Sequence, residues 1–97
     1  MNNKTLYLEA ALLWGGEAQV QMAIEEMAEL TVDLCHVIRG RKHIAECAEE
    51  IADCQIMLEQ MQSISDSTEV TRIKATKLDR LAERVHKAKQ KGASNEK

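Results

Sequence analysis

The sequence has few of the residues that interrupt helices or build strand-rich folds. Its 97 residues include no Pro and no Phe, and only one Trp, one Tyr and four Gly. A β-sandwich needs strand-type alternation and turns rich in Gly and Pro about every 8–12 residues, and neither pattern occurs. Ala, Leu, Ile and Met supply the apolar residues, and Ala and Leu favour helices. The composition therefore predicts an all-α protein.

Long apolar runs and a cysteine framework are also missing. No stretch of about 18 apolar residues occurs, so we expect no membrane contact. The N-terminal segment has neither a basic n-region nor a small-residue cleavage site, and we therefore expect a cytoplasmic protein. The three cysteines are an odd number without a CxxC motif, and Cys47 and Cys54 lie seven residues apart on one predicted helix face. This pattern favours small buried residues over disulfides or a zinc site.

The net charge of -3 is distributed unevenly along the chain. Residues 1–66 hold 12 acidic and 4 basic residues, a net charge of -8, whereas residues 67–97 hold 4 acidic and 9 basic residues, a net charge of +5. An acidic body is not typical of nucleic-acid binders. The distribution suits a ligand that combines a cation with an anion, such as a metal ion with a phosphate chain.

Periodicity and capping residues predict four helices, over residues 4–14, 17–38, 43–63 and 67–90. Asn3 is the expected N-cap of the first helix, and Gly40 is expected to end the second. Asp66 and Glu69 resemble a capping box before the fourth helix, and Gly92 is expected to end it. Short loops favour antiparallel neighbours, so the predicted fold is a four-helix antiparallel, bundle-like single domain over residues 1–91, with a frayed tail over 92–97.

Apolar stripes at 3- and 4-residue steps run along the two central helices. In the second helix the stripe comprises Val20, Ile24, Met27, Leu30, Thr31, Leu34 and Ile38. In the third it comprises Ile44, Cys47, Ala48, Ile51, Cys54, Leu58 and Met61. The third helix is apolar over so wide an arc that one short chain has little left to cover both flanks. We therefore expect a homo-oligomer, at least a dimer, that completes the core.

Acidic residues lie three apart on both central helices, as Glu26 with Glu29 and as Glu50 with Asp53. Residues at this spacing are neighbours on one helix face. A solvated face is the simpler interpretation. If the helices are antiparallel, however, the two pairs converge, and unpaired burial would cost several kcal/mol for each carboxylate. A divalent cation relieves that repulsion, and carboxylate oxygens suit Mg²⁺ or Mn²⁺.

The same residues also resemble a known signature. Glu25-Glu26-Met-Ala-Glu29, then twenty residues, then Glu50-Ile-Ala-Asp53 is similar to the EExxE…ExxD motif of MazG-like nucleoside triphosphate pyrophosphohydrolases, of the all-α NTP pyrophosphatase superfamily. The resemblance covers about residues 6–86. It implies a homodimer or dimer of dimers and Mg²⁺-dependent cleavage of a nucleoside triphosphate between the α and β phosphorus atoms. It also implies that Glu26, Glu29, Glu50 and Asp53 are the metal ligands.

Other residues are candidates for catalysis and substrate binding. A spare carboxylate can accept a proton from the attacking water, and Glu25 and Glu49 are both candidates. Trp14 either stacks on a base or anchors the core, and Gln19 can read a base edge. The basic residues of the fourth helix either bind phosphates or are ordinary surface charge; they are Lys74, Lys77 and Arg80.

The sequence thus predicts an enzyme that hydrolyses a (d)NTP to (d)NMP and pyrophosphate, with nucleotide-pool housecleaning as its role. A dUTPase-like or phosphoribosyl-ATP pyrophosphohydrolase activity is the alternative within the superfamily. A non-catalytic helical interaction module is the alternative of a different class. Stabilisation by Mg²⁺ separates an enzyme from such a module, because only a specific site binds the ion to the native state.

Overall fold

A computed structural model describes residues 2–95 of the chain. Over this range it contains helices and no strand: α1 (Asn3–Trp14), α2 (Gly16–Ile38), a 3₁₀ helix (Ile44–Cys47), α3 (Ala48–Ile64) and α4 (Ser67–Asn95). The all-α prediction is confirmed, as is the number of α-helices. Within the described range, every helix is too short or too polar to cross a bilayer.

Helix α1 is capped by the residues on either side of it, Asn2 and Gly15. The side chain of Asn2 accepts a hydrogen bond from the backbone N–H of Thr5 at 2.8 Å, so the N-cap is Asn2. The prediction of Asn3 was wrong by one position, because two adjacent asparagines offer the same chemistry. Gly15 alone connects α1 to α2, with a φ of 92° that an L side chain rarely adopts.

The connection between α2 and α3 is partly helical. Gly40 has a φ of 72°, which lets the chain reverse after α2. His43, where the third helix was predicted to begin, instead caps the 3₁₀ helix. Its ring accepts from the backbone of Ala45, and the carboxylate of Glu46 accepts from the backbone N–H of His43. This reciprocal cap delays the α-helical geometry until Ala48.

Helix α4 has the predicted start and a longer course. The carboxylate of Asp66 accepts hydrogen bonds from the backbone N–H groups of Thr68 and Glu69, as an N-cap should. The helix continues through Gly92 to Asn95, so the predicted stop at Gly92 was wrong. A single glycine costs about 1 kcal/mol in a helix and does not by itself end one. Residues 96 and 97 of the predicted tail lie outside the described residues.

The chain divides into two compact units, residues 1–65 and residues 66–97. The second unit consists of α4, which as one helix has no core of its own. The prediction of a single domain over residues 1–91 stays a prediction. In the first unit the buried apolar side chains come from all three α-helices and the 3₁₀ helix: Tyr7, Ala23, Cys47, Cys54 and Met57. The prediction that Cys47 and Cys54 are small buried residues is confirmed.

The inward face of α2 is offset from the predicted apolar stripe. Gln19 and Ala23 are buried, whereas Val20, Ile24 and Met27 are 40–58% exposed. Helix α2 is apolar on two faces, and the face with the smaller side chains is the one buried in this unit. Of the predicted stripe, only Leu30 and Leu34 are half-buried within the single chain, and Thr31 and Ile38 are exposed as well. On α3 the stripe is half right, since Ile44, Ala48 and Leu58 are exposed while its other members are buried or half-buried.

Candidate functional site

The acidic pairs are positioned by the contact between α2 and α3. The thiol of Cys54 donates a hydrogen bond to the backbone carbonyl of Glu26, with 3.2 Å between the two heavy atoms. The helices follow one another through a connection of nine residues, 39–47, and are antiparallel neighbours. Asp53 precedes Cys54, and the negative charge of its carboxylate acts on Glu26, so the two carboxylates lie near each other.

Glu26 lies at the centre of a group of like charges. Partial burial raises the pKa of its carboxyl group, and the negative charges of Glu29 and Asp53 raise it further, with a smaller contribution from Glu25. Three of the four predicted ligands therefore act on one another, as the i, i+3 spacing and the antiparallel pairing predicted. The first glutamate of the motif, Glu25, acts on the same group.

The charge of the fourth predicted ligand, Glu50, acts on the ammonium group of Lys42. Lys42 places its ammonium group 3.1 Å from the Asp33 carboxylate, and both side chains are largely shielded from solvent. Contact with Asp33 is the main cause that raises the pKa of Lys42, and the charge of Glu50 also contributes. One carboxylate oxygen of Glu50 is buried without a hydrogen-bond partner. Glu50 is half-buried and thus lies on the inward side of α3.

The carboxylates form two groups rather than one. Across residues 2–95, no three His, Cys, Asp or Glu side chains are arranged so that they could hold a metal ion. As donors they nevertheless suit Mg²⁺, which takes carboxylate oxygens. A divalent cation would relieve the repulsion between Glu26 and its neighbouring carboxylates, and it would give the buried oxygen of Glu50 a partner. Rotation of side chains on two fixed helices would be needed to bring Glu26, Glu29, Glu50 and Asp53 onto one ion.

The two candidate bases occupy different surroundings. Both Glu25 and Glu49 are exposed. The charge of Glu25 acts on Glu26, which places it with the acidic group of α2 and Asp53. Glu49 lies in the first turn of α3. Which of the two accepts a proton stays a prediction.

The aromatic residues of α1 have opposite environments. Tyr7 is buried and its hydroxyl donates a hydrogen bond to the carboxylate of Glu59 on α3. Trp14 is 64% exposed and does not anchor the core of the first unit. Its indole face is therefore open to a ligand, although the two residues share a helix face by spacing. Trp14 is the last residue of α1 and lies beyond the small core.

Gln19 is enclosed rather than presented to solvent. It is only 1% exposed, and its amide nitrogen has no hydrogen-bond partner. Gln60 of α3 is also buried, with an unpartnered amide oxygen. Gln19 lies seven residues before Glu26 and Gln60 six after Cys54, so antiparallel pairing puts them at similar heights. The role of Gln19 in reading a base edge stays a prediction.

The predicted phosphate ligands belong to the second unit. Lys74, Lys77 and Arg80 are exposed on α4, and their role stays a prediction. Sequence reasoning missed two residues of the first unit, Lys42 and Glu59. Lys42 had a signal, because a cation on a short connection between two acidic helices must lie near both. Glu59 had none beyond its position on α3.

No family model, curated protein or solved structure matches this chain. The resemblance to MazG-like pyrophosphohydrolases therefore rests on the motif residues themselves.

Proposed function

We propose that this protein is a Mg²⁺-dependent nucleoside triphosphate pyrophosphohydrolase of the MazG-like kind. It cleaves a (d)NTP between the α and β phosphates to (d)NMP and pyrophosphate, in the cytoplasm. The observation that carries the proposal is the pairing of α2 and α3, which sets Glu26 and Glu29 beside Asp53. Glu50, with its unpartnered buried oxygen, lies one turn before Asp53 on α3.

The carboxylates of Glu26, Glu29, Glu50 and Asp53 hold the Mg²⁺ ion, with Mn²⁺ as a substitute. The bound ion supplies charge neutralisation at the phosphate oxygens and lowers the pKa of water. Glu25 accepts the proton of the attacking water, and Glu49 is the alternative base. The raised pKa of Glu26 supports this assignment, because carboxylates that repel one another favour either a proton or a metal ion.

Residues outside the acidic group bind the nucleotide. Lys74, Lys77 and Arg80 of α4 bind phosphate oxygens that the metal does not neutralise. The exposed indole of Trp14 stacks on the base, an interaction worth about 1–3 kcal/mol in single-strand binders. Gln19 hydrogen-bonds to the edge of the base when α1 and α2 open far enough for the base to reach it.

A bundle-like homodimer or dimer of dimers completes the fold. The support is apolar surface left open on a single chain: Val20, Ile24 and Met27 form an exposed stripe along α2. Leu78, Leu81 and Val85 of α4 are 45–54% exposed as well. Exposed apolar side chains along a helix are typical of an interface between subunits.

The test is Mg²⁺-dependent release of pyrophosphate from each of the eight common NTPs and dNTPs. Glu50→Gln should abolish turnover, because it removes one anionic ligand at constant volume. Glu17→Gln, an exposed acid-to-amide change at the start of α2, is the matched control and should keep full activity. Phosphorus NMR of the products checks the cleavage position. Unchanged turnover in Glu50→Gln, or NDP with orthophosphate as products, would contradict the proposal.

The exposed apolar stripe on α2 also favours a second candidate, a non-catalytic helical interaction module. In that case the carboxylates form a solvated acidic face. Thermal unfolding with and without 5 mM Mg²⁺, at constant ionic strength, separates the two, where about 5 mM exceeds the Kd of an ordinary site. A saturable rise in Tm supports the enzyme, and a response no greater than that to NaCl supports the module.

A further inference from the structure

Two buried amide side chains lie at the end of the first unit where α2 begins and α3 ends. Gln19 is in the first turn of α2 and is 1% exposed, and Gln60 is near the end of α3 and is 7% exposed. Within the part of the chain that the structure describes, the amide nitrogen of Gln19 has no acceptor and the amide oxygen of Gln60 has no donor. Burial of a polar group without a hydrogen bond is costly, so two such groups at one place call for a physical reason.

Helix α1 covers this end of the unit. It packs against both α2 and α3. Because Gly15 alone joins α1 to α2, the last turn of α1 lies at the end where α2 begins. Tyr7 is the buried residue of α1, and its hydroxyl donates a hydrogen bond to Glu59, the residue before Gln60. The helix that shields the two amides is thus held in place by a buried tyrosine and its hydrogen bond.

Gly15 has the properties of a hinge between α1 and α2. Its φ of 92° favours glycine, and no atom of the described residues lies within 4 Å of a Cβ placed there. The glycine therefore serves the backbone conformation rather than packing. A change in the backbone angles of this one residue moves α1 as a rigid helix while α2 and α3 stay paired. Trp14, which is 64% exposed, adjoins the hinge.

We propose that Gln19 and Gln60 together recognise the base of the nucleotide, and that α1 is a lid that covers them until the nucleotide binds. This inference rests on the proposed function, because the ligand is taken to be a nucleotide. The unpartnered N–H of Gln19 and the unpartnered oxygen of Gln60 match a base edge that offers an acceptor beside a donor, as adenine does with N7 and N6. Binding gives both amides the partners that the closed unit does not provide.

Thermal unfolding without ligand is the first test. Gln19→Met and Gln60→Met replace the amide by an apolar side chain of similar length. Each should raise the Tm by about 4–8 °C, because it removes a buried polar group that has no partner. Gln21→Met and Gln55→Met are the matched controls, since they make the same change at exposed positions of α2 and α3 and should leave the Tm unchanged.

Binding to the full chain is the second test. Trp14 is the single tryptophan, so its fluorescence reports titration with each of the common NMPs and dNMPs in the presence of Mg²⁺. Gln19→Met and Gln60→Met should weaken the best-bound (d)NMP by about tenfold and leave ribose 5-phosphate, which has no base, unaffected. Tyr7→Phe should tighten (d)NMP binding by about fivefold, because a weaker hold on α1 makes the binding-competent state more populated.

The outcomes separate this inference from the proposed function. Met variants that are more stable and bind (d)NMPs more weakly, together with tighter binding by Tyr7→Phe, support the inference. A lower Tm or loss of folding in both Met variants overturns it, because the amides are then paired in the closed unit. Unchanged (d)NMP binding in the Met variants, or binding by Tyr7→Phe that is not tighter, overturns it as well. Absence of any (d)NMP-dependent change in the wild type also overturns it, and release of pyrophosphate then decides the proposed function separately.

Discussion

Replacement of Tyr7 by Phe tests how α1 is held on the first unit. Tyr7 is the buried residue of this helix, and its hydroxyl donates to the carboxylate of Glu59. A hydrogen bond to a charged group contributes about 1.5–3 kcal/mol. Glu59 is exposed and regains water when the hydroxyl is removed, so we expect a loss near 1 kcal/mol. For a domain of this size, that corresponds to a fall in Tm of about 4–8 °C.

The pH dependence of the Tyr7→Phe effect provides an internal check. The Glu59 carboxylate raises the pKa of Tyr7 above its usual value of 10.0. A group whose pKa is raised by folding stabilises the native state below its unfolded pKa, and this contribution is lost as the pH rises through the folded pKa. The difference in Tm between wild type and variant should therefore be constant from pH 7 to 10 and close at higher pH.

The assay is thermal and urea unfolding followed by circular dichroism, with a double-variant cycle. Glu59→Gln keeps an acceptor and should cost less than Tyr7→Phe. The combined variant should cost less than the sum of the two single changes, because they remove the same hydrogen bond. A Tyr7→Phe protein as stable as the wild type, or strict additivity in the cycle, would refute the assigned role of this contact.

Three further expectations follow from the environments of single side chains. Folding raises the pKa of Glu26 above its usual value of 4.5, so the contribution of its protonated form to stability is lost as the pH rises through the folded pKa. Glu26→Gln should therefore raise the Tm of the metal-free protein at pH 7 but not at pH 4, and equal Tm values at pH 7 would contradict this. Ellman's reagent should modify Cys35 rapidly and Cys47 and Cys54 only on unfolding, since the first is exposed and the others buried; a second fast thiol would count against the core. Sedimentation equilibrium should give at least twice 10.9 kDa, and Ile24→Asp should lower the mass, whereas a fully active 10.9 kDa wild type would disprove the oligomer.

Helix positions could be predicted to within a few residues because they depend on local sequence. Periodicity and caps act over one or two turns, which is why α2 was predicted at 17–38 and lies at Gly16–Ile38. The choice between neighbouring caps could not be made, since Asn2 and Asn3 offer the same oxygen. The continuation of α4 through Gly92 was not predicted, because glycine favours a helix end and the helix-forming residues around it were not taken into account.

Which face of α2 is buried could not be derived from periodicity alone. Two apolar faces compete, one with Val20, Ile24 and Met27 and one with Ala23. Large side chains favour burial in general, but a small residue allows a closer approach between helices. Only the three-dimensional pairing with α3 decides that Ala23 is inside.

The candidate site was predictable in part for the same reason. The spacing of Glu26 and Glu29, and of Glu50 and Asp53, put each pair on one helix face by local geometry. Antiparallel pairing then brought Asp53 to Glu26 as expected. The ion pair of Lys42 with Asp33 depends on the path of the connection after α2, which no periodicity encodes.

The thiol of Cys54 links the buried core of the first unit directly to the acidic group. Its sulfur lies among buried side chains, yet its hydrogen bond ends on the backbone of Glu26. Position 54 must therefore be small enough for the interior and able to donate at about 3.2 Å to a neighbouring helix. Oxidation of this sulfur would add polar volume there and push Glu26 away from Asp53 without touching either carboxylate. Oxidation of the buried Cys54 sulfur would thus first change the arrangement of the acidic group.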